Sequence, residues 1–242
     1  MLMAVSAEPT PPLQRRRWQF GGSAVLLLLV AGIAVLALRV NGRSTGLPKT
    51  GPVPGAAAIA RDYAGIPQRG TVLGRTDAPR TLVLYADPQC PFCGRFERDA
   101  LPDLVRHEVR SGTLRIDLRL LTFIGPDSTR AARTLLAAGA QDRLFPLAAL
   151  MARFQGDENS GYVTPSYLRR LAGAVPGLDV ARTGRDANGA AVTAQLAAAK
   201  AAAARDGVRS TPWLLAGPTG GALHRVTARR PSAADVRKAL GS

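Results

Sequence analysis

A short aliphatic and β-branched run, Thr81-Leu82-Val83-Leu84-Tyr85, leads through Ala86-Asp87-Pro88-Gln89 directly into Cys90-Pro91-Phe92-Cys93. These are the only two cysteines in 242 residues. A run of this length, apolar throughout and bounded by turn residues, reads as a buried strand. Asp87-Pro88-Gln89 forms the turn, and Pro91 falls at the first helical position, where a missing N–H costs nothing. The chain must therefore place a Cys-x-x-Cys at the start of a helix that leaves the end of a buried strand. Unpaired backbone N–H groups and the macrodipole favour the thiolate of the first cysteine there, and the second lies one turn further in. That arrangement points to thiol–disulfide exchange. A purely structural bridge across so short a loop would restrict the unfolded chain little. A zinc site would need two more ligands, and the only histidines, His107 and His224, stand at no recognisable spacing from the pair. The sequence calls for no cofactor and no metal.

The rest of the chain frames this motif with alternating strands and helices. Thr71-Val72-Leu73 is a short strand, and the helix begun at Cys90 continues through Phe96, Leu101, Leu104 and Val105, with a kink predicted at Pro102. Thr113 to Phe123 alternates apolar and charged residues at its start, as a half-exposed strand does. From Asp127 to about Asp206 the pattern is helical. Asp127 or Ser128 is placed to cap a first helix through Ala138, Leu144 to Phe154 forms a second, Thr164-Pro165 opens a third, and Asn188 to Arg205 is an alanine-rich fourth. Pro212 to Ala216 and Leu223 to Thr227 are two late strands, followed by a helix capped by Ser232 and running to Leu240. The order predicts an α/β layer architecture with an added helical layer.

Ahead of this domain, Phe20 to Leu38 is an uncharged apolar run long enough to cross a hydrocarbon core as a helix. Arg15-Arg16-Arg17 and Trp18 precede it, which is the pattern of a signal-anchor with residues 1–19 as a cytoplasmic tail. Gly- and Pro-rich residues 39–58 read as a flexible linker, and the globular domain is expected over 59–241, with a helical insertion at about 127–206. The predicted location is the cell membrane, single-pass, with the domain outside the cytoplasm. The formal net charge of +15 rests almost wholly on arginine, since only Lys49, Lys200 and Lys238 are lysine. No arginine-plus-aromatic constellation accompanies it, so nucleic acid is not an expected partner.

The motifs Asp87-Pro88-Gln89-Cys90-Pro91-Phe92-Cys93 and Gly207-Val208-Arg209-Ser210-Thr211-Pro212, the second just before a late strand, resemble those of the thioredoxin superfamily. Within it the chain is most similar to the DsbA-like extracytoplasmic thiol–disulfide oxidoreductases. The resemblance covers roughly residues 60–241 and implies a thioredoxin-like core with an inserted helical domain. It implies that Cys90 attacks and Cys93 resolves, that Thr211-Pro212 is the cis-proline element beside them, and that Pro91, Phe92, Thr211 and Pro212 meet substrate. The implied enzyme introduces disulfides into exported cysteine-containing proteins and is reoxidised by a membrane partner. A disulfide reductase or isomerase of the same fold is the alternative, with a non-enzymatic binding module behind it. Two departures from the family pattern bear on direction. Phe92 stands before the second cysteine, where strongly oxidising relatives often have histidine, and Leu84 stands six positions before Cys90, where many relatives keep a buried acid. If assistance with proton transfer is needed, a water, or an acidic residue such as Asp87 or Glu97, would have to supply it, although the first acid reads as a turn residue and the second as a solvated helix residue.

Overall fold

A computed structural model of the chain describes residues 46–241. The expected tail, signal-anchor and first linker residues lie outside this range. Among the described residues no helix is long and apolar enough to cross a membrane.

The predicted strand is β3 (Arg80–Ala86), buried from Thr81 onward, and it organises the sheet. β4 (Leu114–Leu120) pairs parallel to it with Ala86 opposite Leu120, and β5 (Trp213–Pro218) pairs antiparallel with Tyr85 opposite Trp213. β1 (Gln68–Arg69) and β2 (Val72–Leu73) extend the sheet beyond β4, and β6 (His224–Arg225) extends it beyond β5, in the order β1-β2-β4-β3-β5-β6. A fully apolar β3 requires cover on both faces. Leu82, Leu84 and Ala86 join the main core with Phe96, Leu101 and Leu104, whereas Val83 and Tyr85 face a smaller cluster closed by Ala202, Ala203 and Trp213. β4 alternates strictly between buried and partly buried residues, as its sequence period requires.

Between β3 and β4 the helix does not simply kink. α1 (Ala56–Tyr63) precedes the sheet; after β3, α2 (Pro91–Asp99) ends before Ala100, and α3 (Leu101–Leu104) restarts with Pro102 in its first turn. Proline has no N–H to give the preceding turn, so it serves better as the start of a new helix than as a bend in an old one. A π-helical turn, Val105–Val109, completes the crossover and keeps Val105 and Val109 in the core.

The helical insertion comprises α4 (Pro126–Gly139), α5 (Leu144–Arg153), α6 (Pro165–Ala172), α7 (Val180–Asp186) and α8 (Ala190–Arg205). Thr164 caps α6 by accepting from the Tyr167 N–H at 3.1 Å, as its position in the sequence implies. α7 is an addition to the elements read from sequence, and Asp179 caps it. α4 is capped neither by Asp127 nor by Ser128: its N-cap is Gly125, which makes no side-chain cap. Both polar side chains are buried in other duties. Asp127 pairs with Arg130, and Ser128 serves the turn before the cysteines. α9 (Ala233–Ala239) closes the fold with the expected Ser232 cap, reciprocated by Asp235. Residues 46–55, within the expected linker, run against α6: Arg170 donates to the carbonyls of Pro48 (2.5 Å) and Gly51, and Val53 is buried.

Candidate active site

Cys90 is the N-cap residue of α2 and Cys93 lies one turn along it, both as free thiols. The Cys90 N–H closes the preceding turn onto the Asp87 carbonyl at 3.0 Å. Thr211-Pro212, a cis peptide, lies directly across from the pair, and the Cys90 thiol donates to the Thr211 carbonyl at 3.3 Å. The structure thus joins Cys90, Cys93, Thr211 and Pro212. With this loop across it, Cys90 is 5% exposed, scarcely more than Cys93 at 3%.

Hydrogen bonding acts on one thiol and burial on the other. The Cys93 thiol is a donor to Cys90, and with the Thr211 side chain and the N–H groups of Phe92 and Cys93 it lowers the Cys90 pKa to about 6 against the opposing effect of burial. The Thr211 carbonyl contact belongs to the protonated thiol, since an acceptor cannot stabilise a thiolate. Burial pushes the Cys93 thiol well above its ordinary value, and the neighbouring Cys90 adds to the rise. One sulfur is therefore ready to attack at neutral pH while the other holds its proton.

Pro91 and Phe92 lie on the open side of the pair, with Phe92 50% exposed. A second exposed aromatic, Phe123 at 57%, sits in the loop after β4. Its neighbour Ile124 donates its N–H to the Asp87 carboxylate at 3.1 Å, so this loop is held beside the turn that carries Cys90. The sequence placed Phe123 at the end of a strand; β4 stops at Leu120, and the loop turns the ring out to solvent. Trp213 and Tyr85 are core residues, as read from sequence, with the Arg225 guanidinium stacked 3.6 Å above the indole. His107 pairs with Asp103 on the surface, and His224 is exposed on β6.

The turn before Cys90 is fixed by a buried polar network that the sequence reading missed. Asp87 is fully buried, and its carboxylate accepts from the Gln89 N–H (2.9 Å), the Ser128 hydroxyl (2.5 Å) and the Ile124 N–H. The Gln89 side chain, also fully buried, donates to Ser128 Oγ at 3.0 Å and accepts from the Asn159 N–H at 2.8 Å. From the loop after α5, Gln155 donates to the carbonyls of Pro88 (2.9 Å) and Cys90 (3.1 Å). Gly94 makes that reach possible, because a Cβ there would lie 2.3 Å from Gln155 Oε1. Every buried polar atom in this set has a partner, as a low-dielectric interior demands.

A family model described as thioredoxin matches residues 68–222, which include both the cysteine pair and Thr211-Pro212. The chain belongs to the thioredoxin family. Among curated relatives, disulfide bond formation protein D of Bacillus subtilis is 29% identical over 103 residues, 42% of this chain and 46% of that protein. Thiol:disulfide interchange protein DsbG of Escherichia coli is 35% identical over 65 residues, 27% of this chain and 24% of that one. The matches thus span less than half the length of either relative. Solved structures share far more of the architecture. Oxidised BdbD from Bacillus subtilis superposes with a TM-score of 0.61 at 20% identity, covering 72% of this chain and 94% of that one. A thioredoxin-like oxidoreductase from Silicibacter pomeroyi gives 0.56 at 26% identity over 77% and 94%. The thioredoxin-like core with a helical insertion is therefore a shared fold, and DsbA of Chlamydia trachomatis has it too, at a TM-score of 0.57.

Proposed function

We propose that this thioredoxin-family protein is a membrane-anchored thiol–disulfide oxidoreductase that donates its Cys90–Cys93 disulfide to exported cysteine-containing proteins. The observation that carries the reading is the Cys-x-x-Cys pair at the start of α2 with Thr211-Pro212 set against it, the Cys90 thiol 3.3 Å from the Thr211 carbonyl, where donors lower the Cys90 pKa to about 6 and burial raises that of Cys93. A stabilised Cys90 thiolate favours the reduced pair, and so makes the disulfide a better oxidant. In the donation step, a substrate thiolate attacks Cys90, the Cys90–Cys93 bond breaks and Cys93 leaves. A second substrate thiolate then attacks the substrate sulfur of the mixed disulfide and releases Cys90 as a thiolate. The substrate is oxidised by two electrons, and the reduced pair passes these to a membrane partner. Thr211 and Pro212, with the exposed ring of Phe92, form the wall against which an extended substrate would lie. Residues 20–38 supply the anchor and put the domain outside the cytoplasm, where disulfides persist.

The test is a trap. Cys93→Ala should accumulate adducts with exported proteins that are cleaved by reductant, and Cys90→Ala should accumulate none. Absence of adducts with reduced substrates would remove exchange through Cys90. Phe92, in place of the histidine of strong oxidants, favours the second reading, a reductase or isomerase. Alkylation of the pair in intact cells separates them: a largely oxidised pair means a disulfide donor, a largely reduced one the alternative.

A further inference from the structure

Tyr85 packs in the core of β3 with its side chain fully buried. A buried phenol differs from a phenylalanine ring in needing a partner for its hydroxyl. Tyr85 has two. Its O–H donates to the Asp206 carboxylate at 2.5 Å and accepts from Arg119 Nη1 at 2.6 Å. Arg119, on β4, is held in turn by Asp117, which accepts from its Nε at 2.9 Å and from the Thr71 hydroxyl at 3.0 Å. Asp206 is the C-cap residue of α8, where the chain enters the segment that carries Thr211-Pro212. The helix closes there in a Schellman turn: Gly207, at φ +65°, donates its N–H to the Ala204 carbonyl, and Val208 donates to that of Ala203 at 2.9 Å. Beyond the turn Arg209 and Ser210 are exposed. The segment ends at Trp213, which stands opposite Tyr85 in the ladder between β3 and β5. One residue thus holds both ends, Asp206 by its hydroxyl and Trp213 by strand pairing, and its own strand feeds the turn into Cys90. The 3.3 Å approach of the Thr211 carbonyl to the Cys90 sulfur is set between those two ends.

We propose that the Tyr85 hydroxyl is a positioning group for the active site: clamped between Asp206 and Arg119, it fixes the root of the 206–213 segment and, through it, the approach of Thr211 to Cys90. The proposal rests on the assignment of Cys90 and Thr211-Pro212 above. Tyr85 acts on the sulfur only through the segment, so it is a positioning residue and not a catalytic one. Two properties of the site depend on that approach. Thr211 is among the groups that favour the Cys90 thiolate, and with Pro212 it forms the wall proposed for substrate. The order of the clamp is fixed by what each group can do. A guanidinium only donates, so Arg119 takes a lone pair of the phenol and leaves the O–H for Asp206. Burial and the Asp206 hydrogen bond push the Tyr85 pKa up to about 12, which keeps that proton in place through the neutral range. A hydrogen bond to a carboxylate is also stronger than one between neutral groups. The Asp206 side chain is 30% exposed, so little packing restrains the root besides this clamp and the helix end.

The test removes the hydroxyl and reads the sulfur. Tyr85→Phe keeps the buried ring, and Arg119 remains paired with Asp206 at 3.5 Å, so no charge is stranded. The measurement is the pH at which alkylation of Cys90 by iodoacetamide reaches half its maximal rate, near 6 in the parent. Tyr85→Phe should raise that midpoint by about half a pH unit, the scale of one weakened hydrogen bond to the thiolate. Asp206→Ala should give the same shift, and the double variant no more than either alone. Asp206→Asn keeps an acceptor for the phenol and should alkylate like the parent. Urea midpoints followed in parallel separate positioning from stability. A Tyr85→Phe protein that loses stability but alkylates with the parent's midpoint would overturn the role. Additive shifts in the double variant would do the same, as would an Asp206→Asn that behaves like Asp206→Ala, since the clamp would then be the charge pair with Arg119 and not the phenol. A parent that alkylates only in the range of an ordinary thiol would instead overturn the Cys90 assignment on which the role rests.

Discussion

At the scale of the residue, the chemistry turns on what the two sulfurs accept and donate. Cys90 is nearly buried and yet its thiolate is favoured, because donors converge on it; Cys93 keeps its proton because burial penalises its charge and because it is itself a donor to Cys90. A pH dependence follows. The Cys90 pKa is lower in the folded protein than in the unfolded chain, so between about pH 6 and pH 9 the unfolded state binds more protons. The contribution of Cys90 to the stability of the reduced protein should therefore rise from pH 6 to pH 9 and be lost as pH falls through 6. Urea unfolding across that range should show it as a growing difference between the reduced protein and Cys90→Ala. The same shift sets reactivity: alkylation of Cys90 by iodoacetamide should reach half its maximal rate near pH 6.

At the scale of the element, α2 is held from three directions, and the tethers can be tested singly. Ser128 donates to Asp87 and accepts from Gln89, so Ser128→Ala leaves two buried groups each short of a partner. The cost should be about 1–3 kcal/mol, read as a fall in the urea midpoint. Gly94→Ala should act more locally. Its Cβ meets the mobile end of Gln155, so the fold survives while the side chain that grips the Pro88 and Cys90 carbonyls is displaced. The expected outcome is a small loss of stability with an altered Cys90 alkylation rate. These tethers also mark where sequence reading stops. Strand β3 and the cysteine pair at a helix start were legible because each is local, a run or a short motif with its own geometry, whereas the Thr211-Pro212 element was legible only through the family resemblance. Asp87 was not, because a turn acid looks the same whether it faces water or a serine 41 positions away. Glu97 was misread for a related reason: flanking arginines mark a wet helix face, yet the residue is half-buried. The restart at Pro102 differs from the predicted kink because the sequence gives a proline's constraint without saying on which side of it the helix ends.

At the scale of the whole molecule, the thioredoxin core and its insertion are joined through the site itself. Asp87 and Gln89 belong to the core, Ser128, Gln155 and Asn159 to the insertion, and Cys90 lies between them. The far end of the insertion is fastened as well, with Arg170 of α6 gripping residues 48 and 51 on the approach from the N-terminus. If residues 20–38 are an anchor, the full chain should stay with membranes through carbonate extraction, and a chain beginning at residue 46 should be released with its disulfide exchange intact. Recovery of the full chain in the carbonate supernatant would remove the anchor from the proposal. The Asp87, Gln89 and Ser128 cluster has a consequence for how such a protein changes over time. A carboxylate, an amide and a hydroxyl, each sealed from water and each completing the others, cannot drift one at a time without stranding a neighbour. Across descendants of this chain the three positions should be inherited as a set or exchanged as a set, and a lineage that sheds the insertion must find a new way to hold the turn in front of its nucleophile.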